Sequence, residues 1–401
     1  MITVVDSARE RWFSLQRELG QRFSRRLFED ISRHPIALAE RRAPPRSWSL
    51  RIAYALAIAV YAASVLVGVG GVVLLLPPWE NILVVLLGVL LLLMCLVARP
   101  TPPEPPYFLL SRSEYPTLHR LADLIAQRMG APVVDGIAIS ADFGANYRVA
   151  GWRRRRYIEF GSPLLAILST EERVAILAHE LSHGANGDPL RGLLLFGSVN
   201  TLSSWASALR PTSIGRPVDG MVQLPTGSLA SIMAAPFQLL MLAVSEMMFW
   251  AVKGLLLLVL RQSQRAEYLA DMLAATVAGS KEMQRALEKT YLLEVVDGAM
   301  KSYVLERSTG PIEAKLSDAV QSLSEDDLER FRTESRASNW QVDSTHPPTA
   351  MRVDLLAKQV QYPPSDLMSA DDVAALVHEV SRLVASTQRE LINRSREAIY
   401  G

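Results

Sequence analysis

The chain has 401 residues, 49% of them hydrophobic, with 42 basic and 41 acidic side chains and a net charge of +1. That balance excludes a global electrostatic pull toward nucleic acid, and the length suffices for two or three domains. The single cysteine, Cys95, excludes an intramolecular disulfide and a multi-cysteine metal site, and fits a reducing compartment for the soluble part.

No secretory signal is expected, because the first long apolar run starts only after about fifty residues. Residues 1–51 form a basic arm with eleven arginines, no lysine and six acids. Within it Trp12, Leu15, Leu19, Phe23 and Leu27 recur at steps of three and four, the pattern of an amphipathic helix. Such a helix packs on the body of the protein or lies in a lipid interface, and the pattern fits both. Residues 52–76 and 82–98 are uncharged apolar runs separated by Pro77-Pro78-Trp79-Glu80-Asn81. A hydrocarbon core of about 30 Å needs runs of this length, so 52–98 reads as a transmembrane hairpin. The arginine bias of the arm and of Arg99 and Arg112 puts both flanks on the cytoplasmic side.

Residues 100–108 form a proline-rich linker. Beyond it the pattern predicts a helix over 114–129 and an antiparallel meander of short strands at 133–140, about 145–150 and about 155–161. Arg153 to Arg156 fall in that meander, as a solvated turn or as a contact for lipid headgroups. A helix is expected from about 163 and another from 171, started by Thr170, Glu171 and Glu172. Residues 192–208 and 233–260 are two further apolar stretches, read as a second membrane hairpin. The latter includes Glu246 and Lys253 on one helical face, which at membrane depth call for partners. Residues 262–300 read as helical and 308–340 as an acid-rich mixture of helix and loop. Residues 349–398 read as two polar helices split by Tyr362-Pro363-Pro364.

The chemistry concentrates in His179-Glu180-Leu181-Ser182-His183, an H-E-x-x-H motif. On a helix the two histidines share a face and can bind one metal ion. Glu180, one residue after the first ligand, can take the proton of an attacking water. A catalytic zinc needs a third protein ligand. Pro189 stands where a third histidine would follow in the H-E-x-x-H-x-x-G-x-x-H pattern, which points to a carboxylate from another helix. Glu267 is the best candidate. Asp271 lies one turn further on the same face, so one of the two can bind metal while the other orients an imidazole. If these groups meet on one side of a membrane, the chain between them crosses it an even number of times. His378-Glu379 begins like a second motif, but Arg382 stands at i+4, and an exposed helical pair is expected.

The segments HELSHGANGDP at 179–189 and QRAEYLAD at 264–271 together resemble the HtpX-like family of membrane-bound zinc metalloproteases. These are gluzincins, a group that also includes the CAAX prenyl proteases. The resemblance covers about 50–355 of the chain. It implies one Zn2+ per chain held by His179, His183 and Glu267, with Glu180 as general base, Asp271 in support and Asp188 in a structural role. Ser344-Thr345-His346-Pro347-Pro348 and Arg352 match a further family segment near the active site. There His346 can donate to the oxyanion, and Arg352 can brace Asp271 or Glu267 or bind substrate. Asn146 falls near a family asparagine beside which an extended substrate would add to the strand edge. Tyr147 and Arg148 depart from the family's small-residue run there.

The expected fold is therefore mainly α with a small antiparallel sheet, an integral membrane protein with a zincin-like catalytic domain. Its parts are the basic arm (1–51), the hairpin (52–98), a protease domain with an apolar insertion at about 192–260 (99–355), and a helical C-terminal segment (356–401). The expected function is hydrolysis of polypeptide or membrane-protein substrates at the cytoplasmic face of a bilayer, in a bacterial plasma membrane, with membrane-protein quality control as the expected role. The rival readings are a CAAX-type processing protease and a non-catalytic scaffold that keeps the fold. Glu171, Glu172 and Arg173 before the motif and Asp188 and Arg191 after it argue against a site inside an apolar span.

Overall fold

A computed structural model describes residues 26–29, 31–33, 48–76, 81–97, 103–210, 229–338 and 347–400. The arm before Arg26, the turn around Trp79 and His346 lie outside these residues. The described residues divide into two compact units. One is built from segments within 46–101 and 191–262, the other from 26–33, 102–190 and 263–401.

In the first unit, helix α1 spans Trp48–Val73 and α2 spans Ile82–Val97. Their backbones pack closely: a Cβ on Gly71 would lie 3.0 Å from the Gly88 carbonyl oxygen, and one on Gly88 2.9 Å from that of Gly71. Small residues at such a crossing are what allow two apolar helices to touch. Helix α6 spans Asp188–Leu209, and α7 runs unbroken over Leu229–Ala278. Leu50, Ala53 and Ala57 of α1 cluster with Leu195 of α6 and Leu255 and Val259 of α7. Among the described residues, α1 from Leu50 and α7 from Pro236 are long and apolar enough to cross a bilayer, and α2 is a shorter apolar helix. Only 11% of the α1 window and 17% of the α7 window are buried, so these are not the core helices of a soluble fold. Val65, Leu66, Ile82 and Leu83 are all exposed. Glu246 finds an ion-pair partner in Arg210, 3.4 Å away, and the Lys253 ammonium lies over the Trp250 ring.

The second unit opens with α3, Pro116–Met129, followed by β1 (Gly136–Ser140), β2 (Ala145–Ala150) and β3 (Arg155–Gly161). The sheet is mixed, which corrects the expected antiparallel meander. The strand order is β1-β3-β2, with β1 parallel to β3 and β2 antiparallel to it. Only β2 and β3 form a hairpin. The chain leaving β1 passes across the end of β3 to reach the far edge, and Gly161 N donates to Gly144 O at 2.7 Å there. A Cβ on Gly161 would run into the Asp142 carbonyl. The crossing therefore needs glycine at that point.

Helix α4 (Ser162–Ile167) leads to α5 (Thr170–Asn186). The end of α7 turns at Gly279, in a left-handed backbone conformation with φ of 98°, into α8 (Ser280–Lys289). A short turn and α9 (Leu293–Leu305) follow, so the stretch 262–300 is not one helix. Helices α10 (Ile312–Gln321) and α11 (Glu325–Ser338) fill the acid-rich stretch, and α12 (Thr349–Lys358) and α13 (Ala370–Tyr400) close the chain. One core joins these elements through Ile125, Ile158, Leu177, Leu181, Leu269 and Leu383. Leu27 and Ile31 are buried in the same core, so this part of the arm packs on the body.

The His378–Glu379 pair is not exposed as a pair, which is a second correction. His378 is exposed, but Glu379 is buried and accepts from the backbone N–H groups of Thr117 and Leu118, both at 2.9 Å. Tyr115, the residue preceding α3, makes no side-chain cap. A carboxylate from α13 does that work across 262 residues, where the helix dipole favours an anion. Glu379→Ala is expected to weaken the fold by about 1–3 kcal/mol and to speed amide exchange at Thr117 and Leu118. Exchange at wild-type rates would show that this cap contributes nothing.

Candidate metal centre

Helix α5 is fixed at both ends. Ser169 is its N-cap, one residue earlier than expected, and forms a capping box with Glu172. Glu172 also pairs with Lys289 of α8 at 2.7 Å, and the same ammonium donates to Ile167 O at 2.6 Å. Gly187, with φ of 71°, ends the helix in the left-handed conformation. Between these ends His179 and His183 stand one turn apart on the face toward α7.

His179, His183 and Glu267 bring their donor atoms within 4.8 Å of one another. The two Nε2 atoms are 3.3 Å apart. Glu267 Oε2 lies 3.5 Å from His179 Nε2, and Glu267 Oε1 lies 3.4 Å from His183 Nε2. A tetrahedral cation with bonds of about 2.0–2.1 Å holds its ligand atoms about 3.3 Å apart. The separations, with one Glu267 oxygen toward each histidine, lie near that spacing, and two imidazoles with a carboxylate are a donor set that borderline cations prefer. The residues present therefore fit a metal.

Asp271 accepts from His179 Nδ1 at 2.9 Å, which leaves Nε2 to face the other donors. Arg352 of α12 grips Asp271 with two bonds, Nε to Oδ2 at 2.7 Å and Nη2 to Oδ1 at 2.6 Å. The same Nη2 lies 3.4 Å from Glu267 Oε2. Of the two expected partners of Arg352, Asp271 is the primary one. All four groups are buried. Burial disfavours the His179 imidazolium, but hydrogen bonds to Asp271 and Glu267 outweigh it and raise the group to about 10. A cation at Nε2 would compete with that proton, so metal uptake would release it.

Glu180 is buried beside the first histidine, and no hydrogen bond to another described residue occupies its carboxylate. Asn146 is exposed on β2, whose other edge has no strand partner among the described residues. Tyr147 points the opposite way, onto α5, and a Cβ on Gly184 would lie 2.8 Å from its hydroxyl. Burial pushes that phenol up to about 12. The bulky departure from a small-residue run is thus accommodated by a glycine next to His183. Asp188 begins α6. His119 is buried in α3, with Nε2 3.1 Å from Leu110 O, and takes no part in the cluster. The roles of Lys289 and Gly184 were not legible in the sequence, since neither carries a spacing signal.

A helix-borne pair of histidines facing a glutamate from a second helix, in a chain with apolar membrane helices, defines a membrane metallopeptidase. The family description Peptidase family M48 matches residues 113–360, and the chain belongs to that family. Within it the chain is HtpX-like. It is 26% identical over 261 residues to the Protease HtpX homolog of Pyrobaculum aerophilum, covering 60% of this chain and 67% of that one. It is 31% identical over 193 residues to Protease HtpX of Tolumonas auensis, covering 47% and 62%. A Protease HtpX homolog of Neisseria meningitidis is 31% identical over 137 residues, covering 34% and 44%. No solved structure matches.

Proposed function

We propose that the chain is a zinc-dependent endopeptidase that cuts polypeptides at the cytoplasmic surface of a bacterial plasma membrane. The observation that carries this is the set of three donor separations of 3.3, 3.4 and 3.5 Å beside Glu180. His179, His183 and Glu267 would hold the zinc. When bound, zinc acidifies the attacking water and polarises the scissile carbonyl. Glu180 takes the proton of that water and delivers it to the leaving amine. Asp271 fixes the His179 ring, and Arg352 fixes Asp271. The open edge of β2 pairs with an extended substrate near Asn146. His346, which the family resemblance puts near the active site, donates to the oxyanion, and Asp188 takes the structural role that the resemblance implies.

The cytoplasmic side follows from the arginine bias around the first apolar hairpin. Action on membrane proteins, in quality control, follows from the family resemblance and from the apolar helices of the same chain. The test is cleavage of casein, or of the chain itself, by purified protein in detergent with zinc and with a chelator. Zinc-dependent cleavage supports the reading. Cleavage unchanged by complete metal removal overturns it, and stoichiometric zinc without cleavage of any substrate favours the scaffold reading.

A further inference from the structure

We infer that the tip of the β2–β3 hairpin is a membrane-docking surface, a tryptophan-and-arginine contact for anionic lipid headgroups. It concerns attachment rather than catalysis, and it rests on the apolar helices lying in a bilayer.

Trp152 is 85% exposed at this tip, and Arg153, Arg154, Arg155 and Arg156 beside it are all exposed. None of the four guanidinium groups has an ion-pair partner among the described residues. Arg112, Arg120 and Arg394 of the same unit pair with Asp123, Asp372 and Asp142, and exposed arginines without an ion pair among the described residues, such as Arg128, Arg285 and Arg307, stand singly in the sequence. Arg154, with φ of 51°, sits at the turn, and strand alternation sends Arg155 and Arg156 to opposite faces. The charges therefore ring the tip. A solvated turn accounts for exposed arginines one at a time. It does not account for four consecutive exposed cations, which repel one another, beside an indole left in water. Indole with guanidinium is the composition of a membrane interface, where the ring sits at headgroup level and the cations meet anionic lipid.

Two hydrogen bonds hold this end of the hairpin to the proline-rich linker. Gly151 N donates to Pro103 O at 2.9 Å, and Arg148 Nη2 donates to Glu104 O at 3.2 Å. The turn end of the hairpin is thus tied to the linker. Pro103 is the sixth residue after Val97, the end of α2. Tyr107 and Phe108, 87% and 60% exposed, follow on the same linker. An acidic polypeptide would satisfy the arginines, but it gives no reason for the tether or for the exposed aromatic rings.

The test uses the full chain in lipid nanodiscs, of phosphatidylcholine alone or with phosphatidylglycerol. A nitroxide is attached at Arg154→Cys in a Cys95→Ser background, which leaves Trp152 and three arginines in place. In anionic discs the label is expected to be shielded from a water-soluble nickel chelate, and in neutral discs to be open to it. Raising ionic strength from about 0.1 M to about 1 M shortens the screening length from about 10 Å to 3 Å and should reopen it. Replacing Arg153, Arg155 and Arg156 by Ser should weaken docking about fivefold per arginine. Replacing them by Lys should preserve it, since a point charge suffices. Equal accessibility in both lipids, or shielding unchanged in the serine variant, overturns the inference. A second label at Leu90→Cys reports separately on α2. If it is not lipid-buried, the membrane reading of the helices fails and the docking surface falls with it.

Discussion

Replacing Glu180 by Gln should lower the rate of peptide hydrolysis by about 10²- to 10⁴-fold while metal content stays at the wild-type level. Glu180 is one residue from His179 in α5, yet it is not among the three groups whose donor atoms converge. Gln keeps the shape and hydrogen-bonding reach of the side chain but cannot accept a proton. The site it leaves behind still has two imidazoles and the Glu267 carboxylate. The pairing of the two readouts is what makes the result specific. A variant that loses metal and activity together would show Glu180 acting as a ligand or as a structural prop. A variant that cleaves casein at the wild-type rate would remove Glu180 from the chemistry altogether. The change should appear in kcat rather than KM, since a base acts in the transition state and contributes little to ground-state binding.

How much of this was legible in the sequence depends on how far apart the interacting residues are. The His179–His183 pair is local. Helical periodicity alone puts both rings on one face, and the capping residues before it mark the start of α5 to within one residue. Glu267 was legible as the best candidate for the third ligand and Asp271 as its support, 84 residues or more beyond His183 (267 − 183), but spacing alone did not separate their roles. Which of them faces the histidines, and which binds Arg352, depends on tertiary packing. The sheet shows the same limit. Alternation located three strands, but nothing local says that the chain crosses the end of β3. The signal lies in Gly161, whose need for a missing side chain appears only once Asp142 is beside it. Glu379 is the clearest failure. From sequence it is one acid on a polar helix, and its partners are two backbone amides that α3 leaves without a local cap.

The second large effect is expected at Glu267. Glu267→Ala should abolish stoichiometric zinc binding and, with it, cleavage. Two histidines on one helix can hold a cation, but a catalytic zinc site uses three protein ligands, and α7 supplies the third from outside α5. Asp271 cannot step in, because its oxygens are already committed to His179 Nδ1 and to both nitrogens of Arg352. Asp271→Asn offers the contrast. It keeps all three donors and loses only the carboxylate behind His179, which should cost about 10- to 100-fold in metal affinity. It also leaves Arg352 as a buried cation without its main partner, at a cost of about 3–5 kcal/mol in stability. Excess zinc should therefore restore turnover to Asp271→Asn and not to Glu267→Ala. The two acids lie one turn apart on the same helix and are both buried, so a general loss of packing would affect them alike. Zinc retention and full activity in Glu267→Ala would mean that the third ligand comes from elsewhere.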